Sequence, residues 1–315
     1  MLAKGGSKHA RWKLRLSGWT RLAVIFLFSV VLAGYVLGPF VWLASSSIQN
    51  EREIISVPPH WVPEDPTLLN FKAIFLAQRK GVTYETRTQA DPVSGGYIPS
   101  TAKNLLPSLW NSLIVAVSVV VLNLVVGIPA AYAMAKIRFR GRSTSIYFML
   151  STRVIPDIVL VVPFFLFISR LGLLDNVLSL IITYLAITVP FTVFILMSYF
   201  ESLPDELDKA ARVDGCSRFQ TLTLVFLPLA LPSVAAIVLF SFLTSWNEFL
   251  LALMFTQTIA SQTMPIVIAS FTSDFTISFS FINAAGVVAV VPPVLLAVVF
   301  ERYIVSGMTA GAVKG

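Results

Sequence analysis

The sequence predicts an all-α integral membrane protein with six transmembrane helices. Of its 315 residues, 56% are hydrophobic and only 12% are charged, and the mean hydropathy is +0.81. A soluble domain carries about 25% charged residues, so this composition excludes an ordinary water-soluble fold. Six apolar runs are each long enough to cross a bilayer, which takes about 20 residues as a helix. Prolines inside these runs are tolerated in membrane helices because neighbouring groups bond to the freed backbone atoms.

The first third of the chain is predicted to contain one membrane helix and a long loop. Residues 1–21 form a basic segment with no acidic residue. The apolar run within 22–47 is longer than the ~7–15 apolar residues of a signal peptide, so we interpret it as a retained transmembrane helix. Residues 48–104 form a polar, proline-rich loop, expected outside the cytoplasm. Within it, 81–100 has the glycine and proline content of a mobile excursion.

The transmembrane core is predicted at 105–300, interrupted by a charged segment at 201–232, which we call the charged loop. Its five spans are expected at about 105–135, 143–168, 177–200, 233–255 and 279–300. The segment between the last two spans is mostly uncharged. A short tail at 301–315 ends the chain.

The distribution of basic residues predicts that both termini lie in the cytoplasm. Fifteen Lys and Arg residues lie in the N-terminal segment, the turn at 136–142, the charged loop and the tail. The turns on the opposite side, 170–176 and 256–278, hold only one. Short cytoplasmic loops are enriched in basic residues, whereas long loops such as 48–104 carry little weight. The formal charge of +7 therefore indicates basic ends beside anionic lipid rather than binding of nucleic acid.

The charged loop holds five of the sixteen acidic residues and is predicted to form two short helices joined at Gly215. Glycine suits the position after a helix end, where the backbone is often left-handed. Ser202 with Asp205 matches a capping box that would start the first helix. Ser217 with Gln220 repeats that pattern for the second helix.

The charged loop contains Glu206, Ala210, Ala211, Asp214 and Gly215, followed by Leu227-Pro228 and Pro232. In these residues it resembles the cytoplasmic EAA loop of bacterial ABC importer permeases. The first alanine of the family pattern is replaced here by Lys209. In that family the loop forms a coupling helix that docks into a groove on the ATPase subunit. The resemblance implies that the ATPase-coupling residues are Glu206, Asp208, Ala210, Ala211, Asp214 and Gly215. The alternative is an amphipathic helix lying on the membrane surface.

Several other segments resemble the maltose-type carbohydrate permeases. They are Asn111-Ser112-Leu113, 153–156, Leu171-Gly172-Leu173, the segment WNEFLLAL beginning at Trp246, and the tail from Tyr303. The resemblance implies the type I ABC importer (MetI-like) fold and a permease subunit for a di- or oligosaccharide or related glycoside. It also implies residence in the bacterial inner membrane.

The same resemblance implies a set of partners. These are a second, homologous permease subunit in a heterodimer, two ATPase subunits that bind the ATP, and an extracytoplasmic solute-binding protein that delivers the sugar. The chain has no GxxxxGK[ST] phosphate-binding loop, so we expect no ATP hydrolysis and no cofactor of its own. The two histidines give no basis for a metal site or a Ser-His-Asp arrangement, which argues against a membrane-embedded enzyme.

A few polar residues within the predicted spans are candidates for the translocation path. Arg153 and Asp157 lie four residues apart in the third span, so they can pair on one helix face near mid-bilayer. They either line the solute path or form a self-satisfied pair that holds helices together. In the fifth span Asn247 and Glu248 interrupt an apolar run, and Glu248 is expected to pack helices or gate rather than carry protons. Weaker candidates, expected to bridge helices, are Asn123 and Asn283.

An ion-gradient-driven secondary carrier is the alternative function. Such a carrier needs ionisable side chains within the spans to couple ion and solute movement. The spans offer only Arg153, Asp157 and Glu248 for this purpose.

The tail combines glycines at every fourth position with other small residues. Such residues cannot bury enough area to fold alone, but they can thread a narrow crevice. In the maltose-type importers, the tail inserts at the interface between the ATPase subunits. The resemblance therefore implies an ATPase contact by Thr309, Gly311, Lys314 and Gly315. The alternative is a frayed, solvated terminus.

Overall fold

The computed structural model describes residues 18–76, 100–272 and 279–312, and within these ranges it is helical with no β-strand. The predicted excursion at 81–100 lies outside the described residues except for Ser100, which begins a short 3₁₀ helix, Ser100–Asn104. The helices are α1 Gly18–Ser47, α2 Glu51–Ile54, α3 Leu69–Leu76, α4 Leu105–Lys136, α5 Arg142–Thr152, α6 Asp157–Arg170, α7 Val177–Ser202, α8 Asp205–Val213, α9 Arg218–Leu229, α10 Leu231–Asn247, α11 Leu250–Phe255, α12 Met264–Ser270 and α13 Phe279–Ala312. Within α9, Thr221–Phe226 is a π-helix.

The described helices account for up to six membrane spans, as the sequence predicts. Four segments are long and apolar enough to cross a bilayer alone: Trp19–Ser47, Ala102–Lys136, Val177–Ser202 and Phe279–Tyr303. Two bent pairs meet the same criterion when each is taken as one span. The pairs are α5 with α6, bent by 102°, and α9 with α10, bent by 83°.

The long helix α4 is the centre of the bundle. It packs along α7 and α10, and α13 packs against both α10 and α1. By contrast, α1 exposes most of its apolar side chains, including Phe26 and Phe28. In a chain that crosses a bilayer, such a face can lie against lipid without the cost that water would impose.

A buried polar contact ties the three central helices together. The amide of Asn123 in α4 donates to the hydroxyl of Thr192 in α7 at 2.9 Å and to that of Ser241 in α10 at 2.5 Å. One turn further along α4, a Cβ on Gly127 would lie 2.6 Å from the Cγ2 atom of Thr192. Asn123 therefore bridges helices as expected, and glycine permits the close approach of α4 to α7 beside it.

The third span is broken rather than continuous. Helix α5 ends at Thr152 and α6 begins at Asp157. Pro156 between them has no amide hydrogen to donate, and proline disfavours helical geometry in the residue before it. The span expected at 143–168 therefore consists of two helices that meet at a bend.

The fifth predicted span, 233–255, covers α10 and α11 and is interrupted between them, and the last helix is longer than predicted. Helix α10 ends at Asn247, Glu248 is extended, and α11 begins at Leu250. At the end of the chain, α13 continues through Ala312, well past the boundary expected near 300. The backbone of the predicted tail, 301–315, is thus helical through Ala312.

Candidate functional site

The charged loop folds as two helices joined at Gly215, as predicted. Gly215 has a φ of +84°, in the left-handed region. Its amide donates to the carbonyl of Arg212 at 3.2 Å, and the amide of Cys216 donates to that of Ala211 at 2.9 Å. This pair of bonds is the Schellman motif, which satisfies carbonyls left free at the end of α8.

Only one of the two predicted capping boxes forms. Ser217 and Gln220 cap each other reciprocally, with bonds of 2.8 and 3.3 Å, at the start of α9. Ser202 is instead the last residue of α7, and its hydroxyl donates to the carbonyl of Tyr199 at 2.7 Å. Because Pro204 takes the position before α8, the predicted box at Ser202 is wrong.

The predicted coupling residues of α8 divide between two faces of the helix. Three of them, spaced four residues apart, are exposed on one face: Glu206, Ala210 and Asp214. Ala211 is buried between α8 and the rest of the protein. Asp208 is half-buried and accepts a 2.7 Å hydrogen bond from the hydroxyl of Tyr132 in α4. The helix therefore presents one surface outward and is held by the other.

A second contact joins α8 to the end of α4. The ammonium of Lys136 donates to Asp205 at 2.7 Å and to the carbonyl of Leu203 at 2.8 Å. It also lies 5.6 Å from the centroid of the Phe226 ring. The hydrogen bond from Lys136 lowers the pKa of Asp205, so this carboxylate stays charged beside its partner.

The neighbouring basic turn is attached to α7 in a similar way. The guanidinium of Arg142 forms an ion pair with Glu201 and also donates to the carbonyl of Met134. The turn at 136–142, the end of α7 and the charged loop therefore lie at one end of the bundle.

The predicted pairing of Arg153 with Asp157 is wrong because the break at Pro156 separates them. Arg153 follows α5, whereas Asp157 begins α6. Within the described part of the chain, no ion pair joins them. Arg153 instead donates to the carbonyl of Ile187 at 3.1 Å and lies 5.5 Å from the Phe191 ring centroid. Both Arg153 and Asp157 are exposed.

Glu248 is held by three hydrogen bonds at the break between α10 and α11. Its carboxylate accepts from the hydroxyl of Tyr184 at 2.6 Å. It also accepts from the backbone amides of Leu251 at 2.8 Å and Ala252 at 3.1 Å. These bonds satisfy amides at the start of α11, so Glu248 acts here as a packing and capping residue. Its neighbour Asn247 is exposed.

The opposite end of the bundle has a polar contact that sequence reasoning missed. Asp175, with a positive φ of 58°, accepts hydrogen bonds from the backbone amides of Gln257 and Thr258, both at 2.8 Å. The hydroxyls of Thr258 and Ser261 also donate to it. These bonds, with that from Ser261 first, hold the pKa of Asp175 well below its usual range. The carboxylate thus fastens the turn before α7 to the segment before α12.

Tyr132 and Lys136 were also missed, although a weak signal for them exists. They lie one turn apart at the end of the second predicted span, so they share one helix face. That spacing shows which side is polar but names no partner. For the predicted tail contact, Thr309 and Gly311 lie within α13, whereas Lys314 and Gly315 lie outside the described residues.

Comparisons with known proteins agree with this architecture. Residues 123–310 match the family described as "Binding-protein-dependent transport system inner membrane component". The chain is 32% identical over 290 residues to the sulfoquinovosyl glycerol transport system permease protein SmoH of Agrobacterium fabrum, covering 92% of this chain and 93% of that protein. It is 34% identical over 293 residues to the trehalose/maltose transport system permease protein MalG of Thermococcus litoralis, covering 93% and 96%.

A solved structure shares the fold. It is that of a bacterial ABC transporter involved in the import of the acidic polysaccharide alginate. The TM-score is 0.70 at 22% identity, and the alignment covers 92% of this chain and 99% of the matched chain. With a family match over most of the transmembrane core and relatives aligned over nearly its full length, the chain belongs to the family of binding-protein-dependent transport system inner membrane components.

Proposed function

We propose that this chain is the permease subunit of an ATP-driven importer for a di- or oligosaccharide or related glycoside. The family description supports dependence on an extracytoplasmic solute-binding protein. The names of two relatives, which refer to sulfoquinovosyl glycerol and to trehalose and maltose, support the substrate class. Nothing in these comparisons favours an ion-gradient-driven carrier.

The exposed face of α8 is the observation that carries the coupling part of the proposal. Glu206, Ala210 and Asp214 face outward, while Asp208 and Ala211 hold the helix to the bundle. A small alanine between two carboxylates lets another backbone approach closely while offering charge for recognition. This surface docks on one of two ATPase subunits, which bind the ATP, and a second permease subunit completes the pathway.

The proposal places the charged loop and both termini in the cytoplasm. Arg140 lies at the same end as the charged loop, and Ala260 lies near Asp175 at the opposite end. Single cysteines at these two positions, in a chain with Cys216→Ser, test the orientation. Only the cysteine at 260 should react with an impermeant thiol reagent in intact cells, and labelling at 140 from outside would reverse the topology.

The exposed polar residues of the broken spans are assigned to the solute path. Arg153, Asp157 and Asn247 are exposed near breaks in otherwise apolar helices, whereas Glu248 is occupied by three hydrogen bonds. Arg153→Met should lower sugar uptake without lowering the amount of assembled transporter. Arg170→Met, an exposed arginine at the end of α6, is the matched control.

Reconstitution separates the importer from the carrier. Proteoliposomes holding both permease subunits and the ATPase subunits should take up sugar only with ATP and the solute-binding protein. Uptake driven by an imposed proton or sodium gradient without ATP would overturn the proposal. Ala210→Trp should weaken retention of the ATPase subunits during purification, whereas Val62→Trp, on an exposed loop position outside the charged loop, should not.

A further inference from the structure

Two neighbouring side chains of α4 meet two carboxylates of α8. Tyr132 and Lys136 are one turn apart on α4, and their partners Asp208 and Asp205 are three residues apart on α8. Both pairs of positions lie on single helix faces. The two polar contacts have the same length, 2.7 Å. We call these four residues the α8 anchor.

The α4 side of the anchor is firmly packed. Tyr132 is 3% exposed, and its ring makes edge-on contacts with Phe200 and Phe226 at centroid distances of 6.2 and 5.3 Å. The Lys136 side chain is 5% exposed. Hydrogen bonds to a charged group are stronger than those between neutral groups, and burial limits competition from water on the α4 side, although the Asp205 side chain is 72% exposed. The anchor therefore starts from side chains that have little freedom to move.

The chain connections of α8 are, in contrast, short non-helical links. Leu203 and Pro204 are extended between α7 and α8, with ψ values of 139° and 138°. Gly215 is left-handed between α8 and α9. Backbone links of this kind are where hinge motion is accommodated. One contact to α4 would still allow α8 to swivel, whereas two contacts fix both its position and its direction.

The same helix α4 carries the central contact of the bundle. Asn123 donates hydrogen bonds to Thr192 in α7 and Ser241 in α10. It lies 9 residues before Tyr132 and 13 before Lys136. Helix α4 remains helical through Pro129, which lies between Asn123 and Tyr132, so a displacement of its end is transmitted along one helix to both of its main neighbours. The links at Leu203–Pro204 and Gly215 are bypassed.

We propose that Tyr132 and Lys136 are positioning residues that make α8 and α4 move as one unit, so that motion of the ATPase subunits reaches the membrane through α4. This inference rests on the proposed coupling role of α8. It predicts that loss of the anchor separates ATP hydrolysis from sugar movement. It also predicts that the helices still insert, because the anchor lies at the end of the bundle.

The test uses the complete transporter in proteoliposomes with its solute-binding protein. Tyr132→Phe removes one hydroxyl, and Lys136→Met removes one charge while keeping the length of the side chain. Both variants should assemble and hydrolyse ATP, yet move roughly fivefold less sugar per ATP hydrolysed. This factor is at the lower end of those produced by allosteric coupling. Lys136→Arg, which keeps the positive charge, should move as much sugar per ATP hydrolysed as the unmodified transporter. Arg142→Met, which loses the ion pair to Glu201 without touching α8, is the control.

A distance measurement distinguishes positioning from general stability. Spin labels on Lys209→Cys in α8 and Arg138→Cys just beyond α4, with Cys216→Ser, report whether the two helices move together. The distance between the two labels should be the same in nucleotide-free and ATP-bound transporter. The distribution of distances should broaden when Tyr132→Phe or Lys136→Met is added. A constant separation and an unchanged ratio in both variants would overturn the anchor.

The anchor and the underlying coupling role fail in different ways. Suppose that Ala210→Trp prevents binding of the ATPase subunits while Tyr132→Phe and Lys136→Met still move the full amount of sugar per ATP hydrolysed. Then α8 has its coupling role but the anchor does not contribute to it. If Ala210→Trp leaves ATPase binding and uptake intact, the coupling role of α8 is itself wrong.

Discussion

The hydroxyl of Tyr184 in α7 donates a 2.6 Å hydrogen bond to the carboxylate of Glu248, at the break between α10 and α11. The ring of Tyr184 is buried, and the same carboxylate accepts two backbone amides of α11. One side chain thus supports the interruption of a membrane helix and attaches it to a neighbouring one. An interrupted helix in a membrane needs such partners, because lipid offers none.

We predict that Glu248→Ala destabilises the protein more than Glu248→Gln. The alanine leaves the Tyr184 hydroxyl and two amides without their acceptor, and each unsatisfied buried group costs about 1–3 kcal/mol. Glutamine keeps one acceptor oxygen, so Glu248→Gln should lose less stability than Glu248→Ala. Thermal unfolding of the detergent-solubilised protein measures the order, and Tyr184→Phe should fall close to the glutamine variant.

Transport by Glu248→Gln separates packing from proton transfer. If Glu248 only packs helices, ATP-driven sugar uptake by this variant should fall in proportion to the amount of variant protein in the membrane, and no further. Loss of uptake at an unchanged protein level would assign Glu248 a role in transport that the three hydrogen bonds do not explain.

The approach of α4 to α7 provides the second prediction. A Cβ on Gly127 would lie 2.6 Å from Thr192 Cγ2, so Gly127→Ala should force the two helices apart and lower the melting temperature. Overpacking of this kind costs about 1–3 kcal/mol. Thr192→Ser removes the clashing methyl group but keeps the hydroxyl that Asn123 contacts.

The double variant Gly127→Ala with Thr192→Ser should therefore be more stable than Gly127→Ala alone. Gly34→Ala in α1, where a Cβ meets nothing within 4 Å, is the control and should have little effect. An additive double variant would show that the methyl group is not the source of the strain.

Local signals in the sequence predicted much of the fold and part of the candidate site. The long apolar runs predict the spans because each reports its own length and hydrophobicity. Gly215 and the Ser217–Gln220 box were predicted correctly because their bonds close within a few residues. Ser202 failed for a local reason, since α7 continues through that residue before Pro204 allows a new helix to begin.

Contacts between distant segments could not be predicted in this way. Tyr132 and Asp208 are 76 residues apart, and periodicity places each on a helix face without naming its partner. The break at Arg153–Asp157 was missed for a related reason. Membrane helices often retain a proline as a kink, and packing by neighbouring helices decides whether the helix breaks.

The third prediction concerns the turn between α8 and α9. Gly215 has a φ of +84°, and a Cβ there meets nothing within 4 Å, so a substitution changes backbone strain alone. Gly215→Val should destabilise the turn by about 1–2 kcal/mol, the cost of a left-handed backbone for residues with a Cβ. Sugar uptake should fall while membrane insertion persists. Gly215→Asn, which tolerates this conformation better, should retain more transport, and equal transport by both variants would contradict the role of backbone strain.

The last prediction concerns the pH dependence of the contact at Asp175. Four donors hold its carboxylate, so its pKa in the folded protein lies below the ordinary value of about 3.9. A carboxyl group with a lowered pKa stabilises the fold above its unfolded pKa, and this contribution is lost as the pH falls toward the folded value. Asp175→Asn should therefore lower the melting temperature by a constant amount from pH 8 to about pH 5. The difference between the variant and the unmodified protein should shrink only below about pH 4. Asp65→Asn, at an exposed carboxylate in the loop between α2 and α3, serves as the control. A difference that grew on acidification would contradict the charged carboxylate of Asp175 as the source.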